Sequence, residues 1–345
     1  MLNPHCTLPE LFVPRLLTAL AVWFTMAGSI RNIQAADEST KLTSAMDFRS
    51  ILQKHTEIAF ADIAKYVREN PDAPDSAKAH AWLFQAALEH QLEIKATAIA
   101  EAYLKHAAAH PEVLPLARQV LCLGLIESGK IDAALVVFEG YLQSIRFRAP
   151  ADAITFSFVL ASRTQVANQF AATRKIYDAL STKFFLNAQI REMCDIRLAK
   201  LELIGKAAPD IGVGDLSGKN VDLSDYQGKV VLIDFWSTNC PPCLEEFPSM
   251  KQLYAEYHEK GFEIVGISLD DSADVVDTFQ KRWKLPWRIV LNGSKFSALR
   301  ERYKAVKIPS LFLIDAKGKV SHFDVRGNDL RRVVELSLGI GKKPS

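Results

Sequence analysis

The chain has 345 residues, enough for two domains of ordinary size. Its composition, 49% hydrophobic and 24% charged, excludes a disordered chain. The formal net charge of +2 lacks the basic character typical of nucleic-acid-binding proteins, so no nucleic-acid partner is expected. Five cysteines are too few for a disulfide-stapled scaffold, so hydrophobic cores must stabilise the chain.

The first 35 residues have the pattern of an export signal. Arg15 precedes an uncharged run from residue 16 to residue 30, LLTALAVWFTMAGSI. Fifteen residues suit a signal peptide, whereas a membrane-spanning helix needs about 20. Ile33 and Ala35 fit the −3 and −1 positions of a cleavage site. We predict a signal peptide at 1–35 and a periplasmic or otherwise extracytoplasmic mature protein; the alternatives are an uncleaved N-terminal membrane anchor or a buried helix.

Residues 37–205 are rich in helix formers and contain few Gly or Pro, so this region is predicted to be all helical. A weak repeat of about 39 residues aligns Leu92, Ile131 and Phe170, each after a short polar turn. Repeats of this length are typical of stacked helical hairpins.

The segment from Gly124 to Tyr141 resembles a tetratricopeptide (TPR) repeat, although no unit carries both the early Trp and the final Pro of that family. The resemblance implies a TPR-like domain over 37–205 with a concave face for a protein partner. A helical cap or spacer for the C-terminal domain is the equal alternative.

Two other groups in the helical region were considered as sites. His106 and His110 are four residues apart, but Ala107 replaces the Glu of a zinc helix and no third ligand follows. Cys122 and Cys194 lie in apolar helical segments and are interpreted as core thiols. No metal is expected.

Residues 206–345 alternate predicted strands and helices, which indicates an α/β domain with a mixed central sheet and helices on both faces. A hairpin turns at 216–219, with Val221 and Leu223 on its return strand. Further strands are predicted at 229–235, 262–269, 287–291, 310–314 and 319–323, and helices at 242–260, 273–283, 297–303 and 330–338.

Cys240 and Cys243 form a Cys-Pro-Pro-Cys motif between a predicted strand and a predicted helix. This spacing places the first sulfur at a helix N-terminus, where free N–H groups and the helix dipole stabilise a thiolate. A zinc site would need a second ligand pair. An inert structural disulfide is the alternative to a redox-active one.

The surrounding sequence resembles the TlpA/ResA group of the thioredoxin superfamily over about residues 206–340. The matching pieces stand in order: 230–236, Cys240 to Cys243, Glu246, Pro248, GFEIVGISLD at 261–270 and IPSLFLID at 308–315. The resemblance implies a thioredoxin fold and a thiol–disulfide oxidoreductase with no bound cofactor.

Residue by residue, the resemblance makes Cys240 the nucleophile and Cys243 the resolving thiol of a redox-active disulfide. Pro309 matches the family's cis-proline, which turns the Ile308 backbone toward an extended substrate. Ile308, Pro309 and Trp236 are therefore expected at the substrate-binding surface, Trp236 by packing beside the active site. Pro248 matches the helix kink.

Two carboxylates are candidates for the base that deprotonates Cys243. Asp234 stands at the buried-acid position of thioredoxin, and Glu246 matches an active-site glutamate of ResA-like proteins. Either one, if desolvated, would have a raised pKa and could accept the proton. Asn239 replaces a common aromatic residue before the first cysteine, which leaves substrate preference open.

The leading hypothesis is an exported thiol–disulfide oxidoreductase, a reductase fed by a membrane electron donor and acting on exported protein disulfides. One alternative is a peroxiredoxin-like peroxidase, which needs Thr three residues before its cysteine, whereas Thr238 is two before Cys240. A disulfide donor and a non-catalytic TPR-like docking protein are the others.

Overall fold

The computed structural model describes residues 48–106, 110–145, 150–293 and 297–341. The chain divides into two units, residues 1–54 and 55–345, and only the start of helix α1 is described in the first. The signal peptide predicted at 1–35 lies outside the described residues, as does the start of the predicted helical region. Among the described residues, no helix combines the length and the apolar character that crossing a membrane requires.

Eight helices precede the first strand in the described residues: α1 Phe48–Glu69, α2 Ser76–His90, α3 Glu93–Lys105, α4 Leu114–Glu127, α5 Ile131–Ser144, α6 Ala151–Val166, α7 Phe170–Lys183 and α8 Ala188–Leu201. From α2 onward, neighbouring helices pack in pairs, and alternate helices also touch, α2 with α4, α4 with α6 and α5 with α7. This pattern is typical of a solenoid of helical hairpins. We call these eight helices the helical array.

The 39-residue repeat has a structural basis in three tight turns. Gln91, Gly129 and Asn168 all have positive φ, at 56°, 71° and 56°. Positions 91, 129 and 168 are 38 and 39 residues apart, and each turn leads into a new helix, α3, α5 or α7. The repeat detected in the sequence is therefore real, because it marks the same left-handed turn in successive hairpins.

The C-terminal part is a strand–helix region with a mixed sheet. Its elements are β1 Val213–Gly214, β2 Asn220–Val221, β3 Val230–Trp236, α9 Pro241–Tyr257, β4 Phe262–Ser268, α10 Ala273–Trp283, β5 Arg288–Leu291, α11 Ala298–Arg302, β6 Ser310–Ile314, β7 Val320–Phe323 and α12 Gly327–Ser337. The five-stranded sheet has the order β5-β4-β3-β6-β7. Strands β3, β4 and β5 are parallel, and β6 and β7 join antiparallel. This is the expected thioredoxin fold.

The predicted return strand of the N-terminal hairpin is too long. Strand β2 ends at Val221, and Leu223 begins a 3-10 helix, Leu223–Tyr226, so its assignment to a strand is wrong. The cause is local, because the Asp222 carboxylate accepts a hydrogen bond from the Ser224 N–H at 2.8 Å. A short polar side chain that caps the next turn stops the strand there.

The sheet is buried on both faces. In β3, Leu232 and Trp236 pack into a core with α9 and α12. Ile233 and Phe235 face the opposite core, which continues without a break into buried side chains of the helical array. The array therefore covers one face of the sheet together with Leu299 of α11 and Tyr303, which packs against Phe235.

Charged side chains also cross between the array and the strand–helix region. Arg163 of α6 lies 3.7 Å from Glu93, 3.2 Å from Glu127 and 3.2 Å from Asp329 of α12. Arg332 of α12 pairs with Glu127 at 2.9 Å. We call these five residues the charged seam. Its side chains are largely buried, so each charge depends on its partners.

Candidate active site

The Cys-Pro-Pro-Cys motif forms the first turn of helix α9. Cys240 is the N-cap, with extended backbone angles, and Pro241 and Pro242 occupy the first helical positions. Proline is tolerated there because those N–H groups have no partner within a helix. Cys240 is 7% exposed and Cys243 is 2% exposed, so both are buried and Cys240 is the more accessible residue.

The two cysteines are joined by a disulfide bond, with an S–S distance of 2.03 Å and a Cα–Cα distance of 5.3 Å. The pairing predicted from the motif is thus present. Asn239, Pro241 and Pro242 are exposed around it, so a substrate can approach the disulfide from this side of the helix N-terminus.

The turn before the disulfide is fixed by an aspartate that sequence reasoning missed. Asp270 follows β4 and accepts hydrogen bonds from the Thr238 N–H and from the Thr238 hydroxyl, the latter at 2.7 Å. Ser268 donates to the same carboxylate at 2.8 Å. These bonds tie the end of β4 to the Cys240 turn and limit the conformations open to it.

The Ile308–Pro309 peptide bond is cis, as predicted. Both residues are half-buried, and strand β6 begins directly after them at Ser310. Ile308 packs against the hydrophobic cluster that contains both cysteines and also against the cluster on the other face of the sheet. Pro248 lies inside α9, at the position predicted for a helix interruption.

Asp234 lies in the middle of β3, opposite Gly266 of β4 and Leu311 of β6. It is 2% exposed. Burial raises the pKa of Asp234 to about 7, Arg326 opposes the shift, and Glu246 adds to it by charge repulsion. At neutral pH this carboxyl group exchanges protons readily, which suits a general base or acid.

Glu246, the second candidate base, is held in an ion pair. Its Oε1 atom lies 3.0 Å from Nη1 of Arg326. Nη2 of the same arginine donates to the Pro309 carbonyl at 3.0 Å. One guanidinium therefore links α9 to the cis-proline segment and also acts electrostatically on Asp234. Sequence reasoning missed Arg326, because a lone arginine 80 residues from Glu246 has no local pattern.

Trp236 does not lie at the substrate-binding surface, which corrects its assignment there. The side chain is fully buried and packs against Phe247 at a ring-centroid distance of 5.1 Å and against Phe279 at 5.3 Å. A β-strand places alternate residues on opposite faces, and position 236 faces the α9 core. Trp236 belongs to the buried cluster that also contains both cysteines.

Neither the active site nor any other part of the described chain brings together three His, Cys, Asp or Glu side chains in a metal-binding arrangement. His106 instead lies 3.4 Å from Asp72, and His110 lies 3.3 Å from Glu112. The cysteines of the array, Cys122 and Cys194, are buried as free thiols. Among the described residues, Cys240 and Cys243 are therefore the candidate reactive groups.

The strand–helix region is similar in sequence to known proteins. Residues 204–323 match the AhpC/TSA family. The thiol-disulfide oxidoreductase ResA of Bacillus thuringiensis subsp. konkukian is 37% identical over 135 residues, which cover 39% of this chain and 76% of that protein. ResA of Geobacillus kaustophilus has the same identity and coverage. Among solved structures, the thioredoxin domain of a thiol-disulfide oxidoreductase from Bacteroides vulgatus is 34% identical, with 39% of this chain and 97% of that chain covered and a TM-score of 0.37. On the identity and coverage of the ResA sequences, the chain belongs to the ResA family of thiol-disulfide oxidoreductases.

Proposed function

We propose that the protein is an extracytoplasmic reductase that breaks disulfide bonds in exported proteins. The observation that carries the proposal is the Cys240–Cys243 disulfide at the N-terminus of α9. The cis Ile308–Pro309 bond and the buried Asp234 of β3 add to it. The Cys240–Cys243 disulfide is then the oxidised state that remains after a substrate has been reduced.

The reaction begins from the reduced dithiol. The Cys240 thiolate attacks one sulfur of the substrate disulfide, that S–S bond breaks, and the other substrate sulfur leaves as a thiolate and takes up a proton. Asp234 removes the proton from Cys243, whose thiolate attacks the Cys240 sulfur. The mixed disulfide breaks, the second substrate sulfur leaves, and two electrons have passed from the dithiol to the substrate.

Asp234 is the base we propose for Cys243. Its pKa of about 7 allows it to accept and release a proton near neutral pH. Glu246, paired with Arg326, is proposed instead to hold that arginine against the Pro309 carbonyl. The Ile308–Pro309 segment then receives the extended substrate chain next to the Cys240 sulfur.

The direction of electron flow follows from what surrounds the thiolate. Pro242 has no N–H to donate, and a negative charge at Asp234 repels a neighbouring thiolate. A less stabilised reduced form makes the dithiol a better reductant. We expect a reduction potential on the order of −200 to −280 mV, near thioredoxin's.

The test is to equilibrate the full chain with glutathione buffers and quantify alkylated Cys240 and Cys243 by mass. A potential above about −150 mV contradicts the reductase role and favours a disulfide donor. A reductase in an oxidising compartment needs a supply of electrons, so a membrane electron donor is part of the proposal.

Location outside the cytoplasm is supported by the apolar run at 16–30 and the polar residues that follow it. Sequencing the N-terminus of the exported chain tests the location. A start near Ala36 or Asp37 is expected, and an intact Met1 indicates a retained anchor instead.

For the helical array we propose the role of a cap on the sheet. The support is the shared hydrophobic core and the charged seam, which tie the array to the strand–helix region. Docking of a protein partner on the array is the alternative. It would be favoured if substitutions of exposed array residues abolished reduction of a native partner but left reduction of insulin unchanged.

A further inference from the structure

One lysine of the helical array reaches the start of β6, directly after the cis-proline. Lys200, in the last turn of α8, is 3% exposed. Its Nζ atom donates to the Ser310 hydroxyl at 2.7 Å and to the Asp324 carboxylate at 2.7 Å. Burying an ammonium group is unfavourable unless its hydrogen bonds are satisfied, and here Ser310 and Asp324 accept them.

Lys200 holds the residues that follow the cis-proline. The Ser310 hydroxyl accepts from Lys200 and donates to the Lys307 carbonyl at 2.7 Å. This bond closes a small loop from residue 307 to residue 310, with Ile308 and Pro309 inside it. The hydroxyl therefore sets the separation of the two ends of the cis-proline segment.

Asp324 fixes the next residue along. Its Oδ1 atom accepts the Leu311 N–H at 3.1 Å, and its own N–H donates to the Leu311 carbonyl at 2.9 Å. Burial would raise the pKa of Asp324, but the charges of Lys200, Arg197 and Arg326 keep it below its usual value. Of these three cations, Lys200 is the one that donates a hydrogen bond to the carboxylate.

We propose that Lys200 is a positioning residue for substrate binding, which holds the Ile308–Pro309 segment through Ser310 and Asp324. The inference rests on the proposed exchange of protein disulfides at Cys240. The helical array then does more than cover the sheet, because one of its side chains sets the geometry of the surface that receives the substrate.

The chain offers two matched controls. Glu192, also on α8, pairs with Lys307 at 3.0 Å, but both side chains are 54% exposed, and exposed pairs contribute little. Ser321 of β7 donates to the Leu313 carbonyl at 3.0 Å, a hydroxyl-to-strand bond like that of Ser310, and its other partner is His322 instead of a lysine of the array. Glu192→Gln tests an exposed contact between the array and Lys307, and Ser321→Ala tests a hydroxyl bond outside the cis-proline segment.

The first experiment measures reduction of insulin disulfides by the full chain with dithiothreitol as electron source. Ser310→Ala removes both hydrogen bonds of the hydroxyl, from Lys200 and to the Lys307 carbonyl, and keeps the Lys200–Asp324 pair. We expect its KM to rise about fivefold, at the low end for the loss of two hydrogen bonds, with kcat changed less than about twofold. The potential of the Cys240–Cys243 couple should not change, because Lys200 does not contact the sulfur atoms. Glu192→Gln and Ser321→Ala should keep the wild-type KM.

The second experiment needs no substrate. Lys200→Met combined with Asp324→Asn removes both buried charges together, which avoids an unpaired carboxylate. Hydrogen exchange at the Ser310 and Leu311 amides should become about tenfold faster than in the wild type, with exchange in β3 unchanged. Glu192→Gln should show wild-type exchange.

The outcomes separate the two proposals. A wild-type chain that fails to reduce insulin contradicts the proposed function, and the exchange experiment then decides the positioning role alone. The positioning role is overturned if the KM of Ser310→Ala is unchanged, or if its KM rises together with a shift in the reduction potential of the Cys240–Cys243 couple. It is also overturned if hydrogen exchange in the double variant is unchanged.

Discussion

Both the helical array and the strand–helix region contain cysteines, as buried free thiols in the array and as a disulfide in the strand–helix region. In the array, burial raises the pKa of the Cys194 thiol to about 11 and also raises that of Cys122. In the strand–helix region, Cys240 caps a helix and is bonded to Cys243. A helix N-terminus favours a thiolate and an apolar helix interior suppresses it, so we expect the thiols of the two regions to differ in reactivity.

Each region also contains a buried acid whose pKa is raised. Glu93 of the array has a pKa raised mainly by burial, but Arg163 lies 3.7 Å from it and opposes the shift. Asp234 is raised to about 7, with Arg326 opposing the shift from the other side of the active site. Glu93 belongs to the charged seam between the array and α12, whereas we propose that Asp234 carries a proton during disulfide exchange. The following predictions test this difference in role.

The largest effect is expected from the cysteines themselves. Cys240→Ser should reduce disulfide reduction to the uncatalysed rate, because no thiolate remains to attack the substrate. Cys243→Ser should accumulate mixed disulfides with substrate, visible on non-reducing gels, since the second attack is lost. Cys194→Ser is the control from the array and should keep wild-type activity. Alkylation that labels Cys243 before Cys240 in the reduced chain at neutral pH would contradict the assignment.

A smaller effect is expected on stability. The pKa of Asp234 is about 7 in the folded chain and about 3.9 when unfolded, so between those values the folded state binds the extra proton. The free energy of unfolding should therefore fall as pH rises from about 4 to about 7, by about 4 kcal/mol in total.

Asp234→Asn should remove that loss and be more stable than the wild type at pH 8, with the difference shrinking toward pH 4. Urea denaturation across this pH range measures it. Asp277→Asn, at an exposed position of α10, is the control. If Asp234→Asn follows the same pH slope as the wild type, the raised pKa of Asp234 is refuted.

The smallest effect is expected from replacing Arg326, which pairs with Glu246 and acts electrostatically on Asp234. Arg326 lowers the pKa of Asp234, so Arg326→Gln should raise it further, by about one unit for the loss of a nearby charge. The inflection in the pH profile of insulin reduction should move to higher pH, and the rate at pH 7 should fall. Arg331→Gln, which loses a pair with Glu256 on the outside of α12, should leave the profile in place. A profile unchanged in Arg326→Gln argues against Asp234 as the base.

Much of the fold was predictable because its signals are local. The three left-handed turns at Gln91, Gly129 and Asn168 recur at a fixed spacing, and the buried strands β3, β4 and β6 appear as continuous apolar runs. The disulfide and the cis bond at Pro309 followed from the motif and the family resemblance.

What could not be predicted depends on contacts between distant residues. Lys200 meets Ser310 across 110 positions, and Arg326 meets Glu246 across 80. In the sequence each of these charges is indistinguishable from one on a solvated helix face. The burial of Trp236 was missed for a related reason, since alternation in a strand buried on both faces does not show which residue lies toward the surface.

The charged seam restricts how this protein could have changed over evolutionary time. A recombination event that joined the strand–helix region to an unrelated helical array would leave Asp329 and Arg332 facing a surface without Arg163 and Glu127. Stranding a buried charge in this way costs about 3–5 kcal/mol, a large share of a typical domain's stability. The two halves are therefore poorly suited to shuffling as separate modules, and substitutions at these positions should arise in compensating pairs among close relatives.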